Sequence, residues 1–340
     1  MEELNENSGS QETVQPIHQP SDPAERKKKV SYVTTEWHRS ASLTVLIMFL
    51  VSMMGFMIVG PLIGFLLSLP FVDGGIIEFA EALQNPVAHP EVKLPYFIIQ
   101  GGATFIGLAC IPALYYYSIE KKNPFDLLKP RLVNGLLLLM TMGIVISFMA
   151  MNSIIIEWNA GLSFPEFMKG FENWAREIED AAAEITKYLT VFNNATEFII
   201  AFIVIAVFAG IGEEFVFRGM LQPQLYRATG NIHVAIWTSA ILFSAIHLQF
   251  FGFVPRVLLG ALFGYLYYWS GSLIIPMFAH FVNNGFSVLM IYLNQRGIVD
   301  VDMESTESAP LPVVAIVTVF TVGLLYYFKK FYDTRNAASV

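Results

Sequence analysis

Long apolar stretches alternate with short polar connections along this chain. A helix rises about 1.5 Å per residue and a bilayer's hydrocarbon core is about 30 Å thick, so roughly 20 apolar residues make one crossing. On that rule eight spans are predicted, at 41–70, 95–119, 132–156, 197–228, 232–252, 255–270, 272–293 and 310–328. The fourth is long and carries charges within it. The sixth is short and holds Gly260 and Gly264, a GxxxG spacing that lets neighbouring helix backbones approach and speaks of packing rather than chemistry. Residues 164–189 follow another pattern. Phe164, Phe167, Phe171, Trp174, Ile178, Ile185 and Leu189 recur at helical spacing, with Glu172, Glu177, Glu179 and Asp180 between them. This predicts an amphipathic helix lying on the outer interface or capping the bundle. The fold class predicted is therefore all-α, a polytopic transmembrane helical bundle. No internal repeat is visible, which weighs against a secondary transporter.

Composition supports this reading. Hydrophobic residues make up 55% of the 340 and charged residues 14%, with a mean hydropathy of +0.54; soluble domains carry about 25% charged residues. The net charge of −8 sits in tails and loops and gives no reason to expect nucleic acid as a partner. The one cysteine, Cys110, falls inside a predicted span, which excludes a disulfide or a cysteine-based metal site within one chain. Residues 1–36 are polar and rich in Glu, Gln, Pro and Ser, and are expected to be disordered. Their acidic start, with no short apolar region after it, is unlike a signal peptide.

Basic residues set the expected orientation. With the N-terminus inside, Arg26, Lys27, Lys28, Lys29, Arg39, Lys121, Lys122, Lys129, Arg131, Arg227, Lys329, Lys330 and Arg335 face the cytoplasm, and both termini lie there. The outer loops are acidic, with Asp73, Glu78, Glu81 and Glu91 in one and Asp300, Asp302, Glu304 and Glu307 in another. Four regions are expected: a disordered cytoplasmic tail at 1–36; transmembrane helices with the outer amphipathic helix at 37–190; a core at 191–293; and a last span with a cytoplasmic tail at 294–340.

The core carries the unusual charges. GIGEEFVFRG, residues 210–219, sets Glu213, Glu214 and Arg218 inside an apolar run. One ionisable residue at mid-bilayer costs about 2.5–3.5 kcal/mol on insertion scales, so three need compensation. Glu214 and Arg218 are four apart and able to pair, whereas Glu213 points about 100° away from Glu214. Adjacent acids with different surroundings acquire different tasks. His247 and His280 also lie in apolar spans, and Asn284 shares a helical face with His280. Counting residues from the connecting turns brings Glu213, His247 and His280 to similar depth if their helices are neighbours. A carboxylate beside a histidine can take a proton from water. A histidine and an amide can donate to a developing oxyanion. Together they suit hydrolysis of an amide bond. The same residues, Glu213, His247 and His280, are candidate ligands for a divalent metal such as zinc, although no HExxH is present. Paired acids, an arginine and histidines inside a bundle also suit a proton-coupled transporter, or a non-enzymatic membrane immunity or binding protein in which they only hold the helices together.

EEFVFR fits EExxxR, FSAIH fits FxxxH and HFVNN fits HxxxN, in that order on successive predicted helices. These motifs resemble the CAAX-prenyl-protease-like and bacteriocin-processing family of intramembrane proteases, known as CPBP or Abi, and the helix count is similar to the type II CAAX prenyl endopeptidase. The match runs from about Phe198 to Leu293. The resemblance implies that 191–293 is the catalytic core and that Glu213 activates water with help from His247. It implies that His280 and Asn284 stabilise the oxyanion, and that Glu214 and Arg218 support the motif. Family members are described both as metalloproteases and as glutamate-dependent proteases; His280 paired with Asn284 looks more like a donor pair than a ligand set. It further implies a membrane peptide or lipid-modified protein as substrate, of CAAX-like or bacteriocin type, and a multi-pass location in a bacterial cell (inner) membrane.

Overall fold

The computed structural model describes residues 39–302 and 305–338, so the tail expected at 1–36 lies outside the described residues. Ten helices organise them. They are α1 (Ala41–Phe71), α2 (Ile76–Ala82), α3 (Pro90–Ser118), α4 (Gly135–Ala160), α5 (Lys169–Thr190), α6 (Ala195–Thr229), α7 (Ile232–Ala245), α8 (Phe253–Ser270), α9 (Ile274–Gln295) and α10 (Leu311–Ala338). No strand occurs among the described residues. Seven of the helices are long and apolar enough to cross a membrane: α1, α3, α4, α6, α8, α9 and α10.

The stretch at 232–252, predicted as a full span, differs. Its helix, α7, has 14 residues, which is about 21 Å against a core of about 30 Å. The chain leaves the helix after Ala245, and Leu248 adopts a left-handed φ of 56°. The turn that follows is held by side chains from elsewhere. Asn159 of α4 donates to the Phe250 carbonyl (3.1 Å) and accepts from the Val254 N–H (2.8 Å). Apolar composition continues through this turn, so hydropathy alone does not register where the helix stops.

Asparagines start several helices where the sequence places them before apolar runs. Asn134, Asn194 and Asn231 each accept a backbone N–H of the first turn of α4, α6 and α7, filling donors that a helix start leaves unpaired. Large side chains of α1, such as Leu46, Leu50 and Met57, point outward. Its buried stripe is Thr44, Met48, Ser52, Gly55, Gly60, Gly64 and Ser68. This pattern, small inside and large outside, suits lipid, where close backbone packing replaces hydrophobic burial as the driving force. A Cβ on Gly102 or Gly107 of α3 would fall 2.5 Å from a carbonyl oxygen of α1, at Gly60 and Gly55 respectively. Only glycine permits that approach.

A second core joins α4, α8, α9 and α10 around Ile144, Phe148, Phe263, Leu266, Ile275 and Phe328. A third gathers Phe97, Leu189, Phe192, Val204 and Val288 from α3, α5, the α5–α6 connection, α6 and α9. One end of the bundle is basic. There Arg39 pairs with Glu120 (2.8 Å), Arg227 donates to the Arg39 carbonyl, and Tyr332 and Arg335 donate to the Leu132 carbonyl (both 3.1 Å). The starts of α1 and the end of α10 therefore meet at the same end. The opposite end carries α5. There Tyr188 donates to the His89 carbonyl (3.2 Å), and Gln295 bonds Thr190 and Phe192 (2.8 and 2.9 Å).

The face that α5 buries is not quite the one its sequence suggests. Phe171 packs edge-on against Phe250, and Leu189 is buried. Phe167 and Trp174 are exposed, whereas Glu172, expected on the polar side, is buried. Glu172 accepts from the Phe164 N–H (3.0 Å), Lys169 (3.1 Å) and Arg176 (3.1 Å). Those bonds make its burial tolerable and tie the preceding loop back onto the helix.

Candidate active site

Glu213 and Glu214 lie on a regular turn of α6, Ala209–Glu214, flanked by wider π-helical turns at Ile203–Phe208 and at Phe215–Leu221, the second of which carries Arg218. Such widenings break the regular ladder and are frequent at functional sites. Gly210 and Gly212 let neighbouring helices approach this turn. A Cβ on Gly212 would lie 2.6 Å from the Thr104 carbonyl of α3, and one on Gly210 3.2 Å from the Met277 carbonyl of α9.

The two acids have been separated by their surroundings. Glu214 and Arg218 are both fully buried, and Arg218 Nη1 donates to Glu214 Oε1 at 2.8 Å. Arg218 Nη2 donates to the Gly260 carbonyl of α8, also at 2.8 Å. Its guanidinium lies 4.7 Å from the ring centre of Phe243 and 5.6 Å from that of Phe263. One turn along, Gln222 donates to the Gly264 carbonyl (3.1 Å). The GxxxG of α8 thus does more than permit packing, since its two carbonyls receive the polar face of α6. Removing one partner of such a buried pair leaves an uncompensated charge.

His280 of α9 sits between the acids. Its Nδ1 is 2.9 Å from Glu214 Oε1, and its Nε2 is 4.0 Å from Glu213 Oε2. A carboxylate only accepts, so Nδ1 carries the proton and Nε2 is left as a lone pair. Asn284 agrees with that tautomer. Its Nδ2 donates to the Ile205 carbonyl (2.9 Å) and to His280 Nε2 (3.1 Å), while its Oδ1 accepts from Asn283 (3.0 Å). Asn283, which helical phase sets aside, is therefore the residue that orients Asn284. Glu213 is 13% exposed where Glu214 is not exposed at all.

His247, just past the end of α7, has its Nδ1 2.8 Å from the Phe243 carbonyl. Its Nδ1 likewise holds the proton, and Nε2 is free to accept. The rings of His247 and His280 both border Phe243, with centres 5.1 and 6.1 Å away, and Glu213 is within electrostatic range of His247. The structure thus brings Glu213, Glu214, Arg218, His247, His280 and Asn284 to one place, from α6, the α7 end and α9. What emerges is the Glu213 carboxylate and the His247 Nε2 lone pair, two acceptors suited to holding the protons of a water, with His280 Nε2 engaged by the Asn284 amide.

The same donor types suit zinc, and each imidazole has the oxygen partner on its other nitrogen that a metal-binding histidine usually has. No three His, Cys, Asp or Glu side chains are grouped to hold a metal among the described residues, and His280 Nε2 already receives the Asn284 amide. One residue close to this place was not singled out by any motif. Arg256, in the first turn of α8, is within electrostatic range of both Glu213 and His247; in the sequence it stands at the start of the predicted span 255–270.

Comparison with known proteins bears on the same segment. Residues 195–286 match the family model described as type II CAAX prenyl endopeptidase Rce1-like, in agreement with the three motifs. The chain is 31% identical over 84 residues, 24% of its length, to the uncharacterized protein YpbD of Bacillus subtilis (strain 168). It is 29% identical over 100 residues, 28% of its length, to the membrane-embedded CAAX protease MroQ of Staphylococcus aureus (strain USA300). The matched part spans 40% of each of these relatives. No solved structure matches the chain.

Proposed function

We propose that this chain is an intramembrane endopeptidase that hydrolyses a peptide bond in a membrane-associated substrate, using water activated by Glu213. The observation that carries this is the sorting of the two acids. Glu214 is neutralised by Arg218 and bound to His280, whereas Glu213 has its carboxylate 4.0 Å from His280 Nε2 and partly exposed. An acid held for structure and an acid held in reserve are what water activation needs.

In the reaction, Glu213 takes a proton from water while His247 Nε2 holds the water's second hydrogen. The water oxygen bonds to the carbonyl carbon, and the carbonyl π pair moves onto its oxygen. The tetrahedral intermediate then collapses, the C–N pair leaves with nitrogen, and Glu213 returns the proton to it. Water is thereby divided between a new carboxyl and a new amine. On the side of the developing oxyanion the Asn284 amide is the donor, and His280, steered by Glu214, holds it in place.

The substrate class is a membrane peptide or lipid-modified protein of CAAX-like or bacteriocin type, met within the bilayer of a bacterial inner membrane. Both ends of the chain face the cytoplasm. The match to CAAX endopeptidases over 195–286 supports this reading, as does a protease name on one relative.

The test is substrate trapping with Glu213→Gln in the producing cell, followed by cleavage of captured peptides by wild-type protein in liposomes prepared in H2(18)O. The expected result is one heavy oxygen in the new C-terminal carboxyl, and peptides that accumulate only with the variant. Undiminished cleavage by Glu213→Gln would end the proposal. Loss of wild-type activity to a zinc chelator, restored by zinc, would replace metal-free activation with metal-assisted activation.

A further inference from the structure

His247 is the one member of the site that lies outside a helix. It comes two residues after Ala245, the last of α7, and its neighbour Leu248 takes a φ of 56°. Side chains other than glycine rarely adopt that left-handed conformation, and it persists only where the surrounding structure over-determines it. What holds this turn therefore also decides where the His247 ring stands.

The ring itself is tied back to α7 by the bond from Nδ1 to the Phe243 carbonyl. The residues that follow it are held from outside. Asn159 of α4 takes one side of the turn, at Phe250 and Val254. The other side is held by α5, which lies outside the segment matched to CAAX endopeptidases. Glu179 of α5 accepts the Phe251 N–H with its Oε2 at 2.8 Å. Its Oε1 and the Arg256 guanidinium converge on Gly252, where a Cβ would lie 3.6 Å from Oε1 and 3.2 Å from Arg256 Nη2. The two charges are within electrostatic range of each other, and Arg256 Nη2 donates to Gln249 Oε1 at 2.6 Å. One carboxylate thus reaches the turn by two arms: directly at Phe251, and through Arg256 at Gln249, two residues after His247. Aromatic contacts seat α5 at the same place. Phe171 and Trp174 have ring centres 5.0 and 5.7 Å from that of Phe250, and the Arg176 guanidinium lies 3.9 Å from the ring centre of Phe251. Glu177 and Asp180 beside Glu179 are exposed, whereas Glu179 is half-buried.

We propose that Glu179 is a positioning residue for the reaction: by bracing the turn after α7 it sets His247 Nε2 at the water. This rests on the endopeptidase reading of the site. Glu179 acts through the Phe251 backbone and the Arg256–Gln249 pair and not on the substrate. The outer helix α5 is then a working part of the site as well as a cap on the bundle.

The test uses full-length protein in liposomes, with a peptide captured by the Glu213→Gln variant as substrate. Misplacing a reacting group by about 1 Å costs about 100-fold. Glu179→Ala is expected to lower kcat by that order with KM little changed. Glu179→Gln, which keeps an acceptor for the Phe251 N–H, should recover most of the loss, and Glu177→Ala, on the exposed face, should match wild type. Gln249→Ala cuts the other arm of the brace and should give a smaller fall in kcat, a check that leaves α5 untouched. The deciding measurement is a double-mutant cycle. His247→Ala removes the ring that Glu179 positions, so adding Glu179→Ala to it should cost nothing further. Full multiplication of the two losses would overturn the proposal. So would wild-type kcat in Glu179→Ala, or a loss confined to KM or to thermal stability. A readout independent of cleavage is the imidazole signal of His247 in protein carrying isotope-labelled histidine, identified by its disappearance in His247→Ala. It should shift in folded Glu179→Ala, and an unchanged signal would overturn the brace. The two readings fail separately: if Glu213→Gln cleaves as wild type does, the endopeptidase assignment falls while the imidazole signal still reports on the brace. If Glu213→Gln is dead and Glu179→Ala is fully active, only the role of Glu179 falls.

Discussion

At the scale of single residues the site is governed by which charges have partners. Glu214, Arg218 and His280 form one unit, because a single carboxylate oxygen accepts from both the guanidinium and the imidazole. Arg218→Ala should therefore destabilise the fold by about 3–5 kcal/mol, the usual cost of stranding half of a buried pair, read as a fall in the thermal midpoint of the detergent-solubilised protein. His247 behaves differently. It is tied to the fold by one bond to a backbone carbonyl, so His247→Ala should leave the thermal midpoint close to that of wild type while cleavage falls by about 100- to 10,000-fold, the span of general acid–base contributions. A large loss of stability without loss of specific activity would contradict the division of labour between these two histidines. Much of this was legible from spacing. The i, i+4 pairs Glu214–Arg218 and His280–Asn284 follow from helix geometry, and both are seen. The tie from Glu214 to His280 joins residues 66 positions apart, and no local rule connects them.

Elements impose a second set of constraints. Gly212 brings α6 against α3, with the added Cβ of an alanine 2.6 Å from a backbone oxygen that cannot move aside. An added Cβ at Gly219 would first meet the flexible side chains of Leu273 and Leu127, at 3.1 and 3.2 Å. Gly212→Ala is expected to cost about 1–3 kcal/mol, as overpacking does, and to lower cleavage by moving Glu213; Gly219→Ala should be milder in both. Thermal midpoints and turnover of the two variants side by side decide the matter. The α5 helix offers a test by pH. The Phe164 N–H, with Lys169 and then Arg176, holds the Glu172 carboxyl down at about 2, from an ordinary 4.5. A depressed carboxyl pKa stabilises the folded form above the ordinary value, and that contribution fades as pH falls from about 4.5 toward about 2. Fluorescence of the nearby Trp174 should report loosening of this end of α5 across that window, and Glu172→Gln should be loosened already at neutral pH. The hydrophobic spacing of 164–189 foretold this helix but not the burial of Glu172, since a buried acid is set by partners that periodicity does not see.

Across the whole molecule the direction of the chain is the informative feature. The ladder of Arg218 and Gln222 onto Gly260 and Gly264 makes α6 and α8 parallel. The 14-residue α7 must then carry the chain back between them, although it is short for a crossing. Together with the seven long helices this returns both described ends to the basic end of the bundle. Reporter fusions at the N- and C-termini are expected to be active only as cytoplasmic reporters; opposite sides for the two would contradict the topology.

Taken alone, the sequence determined the class of the protein and the inventory of its chemistry. Apolar length sets the number of helices because a bilayer demands it, and charges placed in apolar runs announce a site because lipid penalises them. The tertiary structure alone decided which atoms meet. It ended α7 at a turn held by Asn159, rotated Glu172 inward, and oriented Asn284 through Asn283. The turn after α7 depends on Asn159, nearly a hundred residues away along the chain, while Glu172 and Asn284 are held by nearby polar groups whose hydrogen bonds hydrophobic periodicity does not weigh.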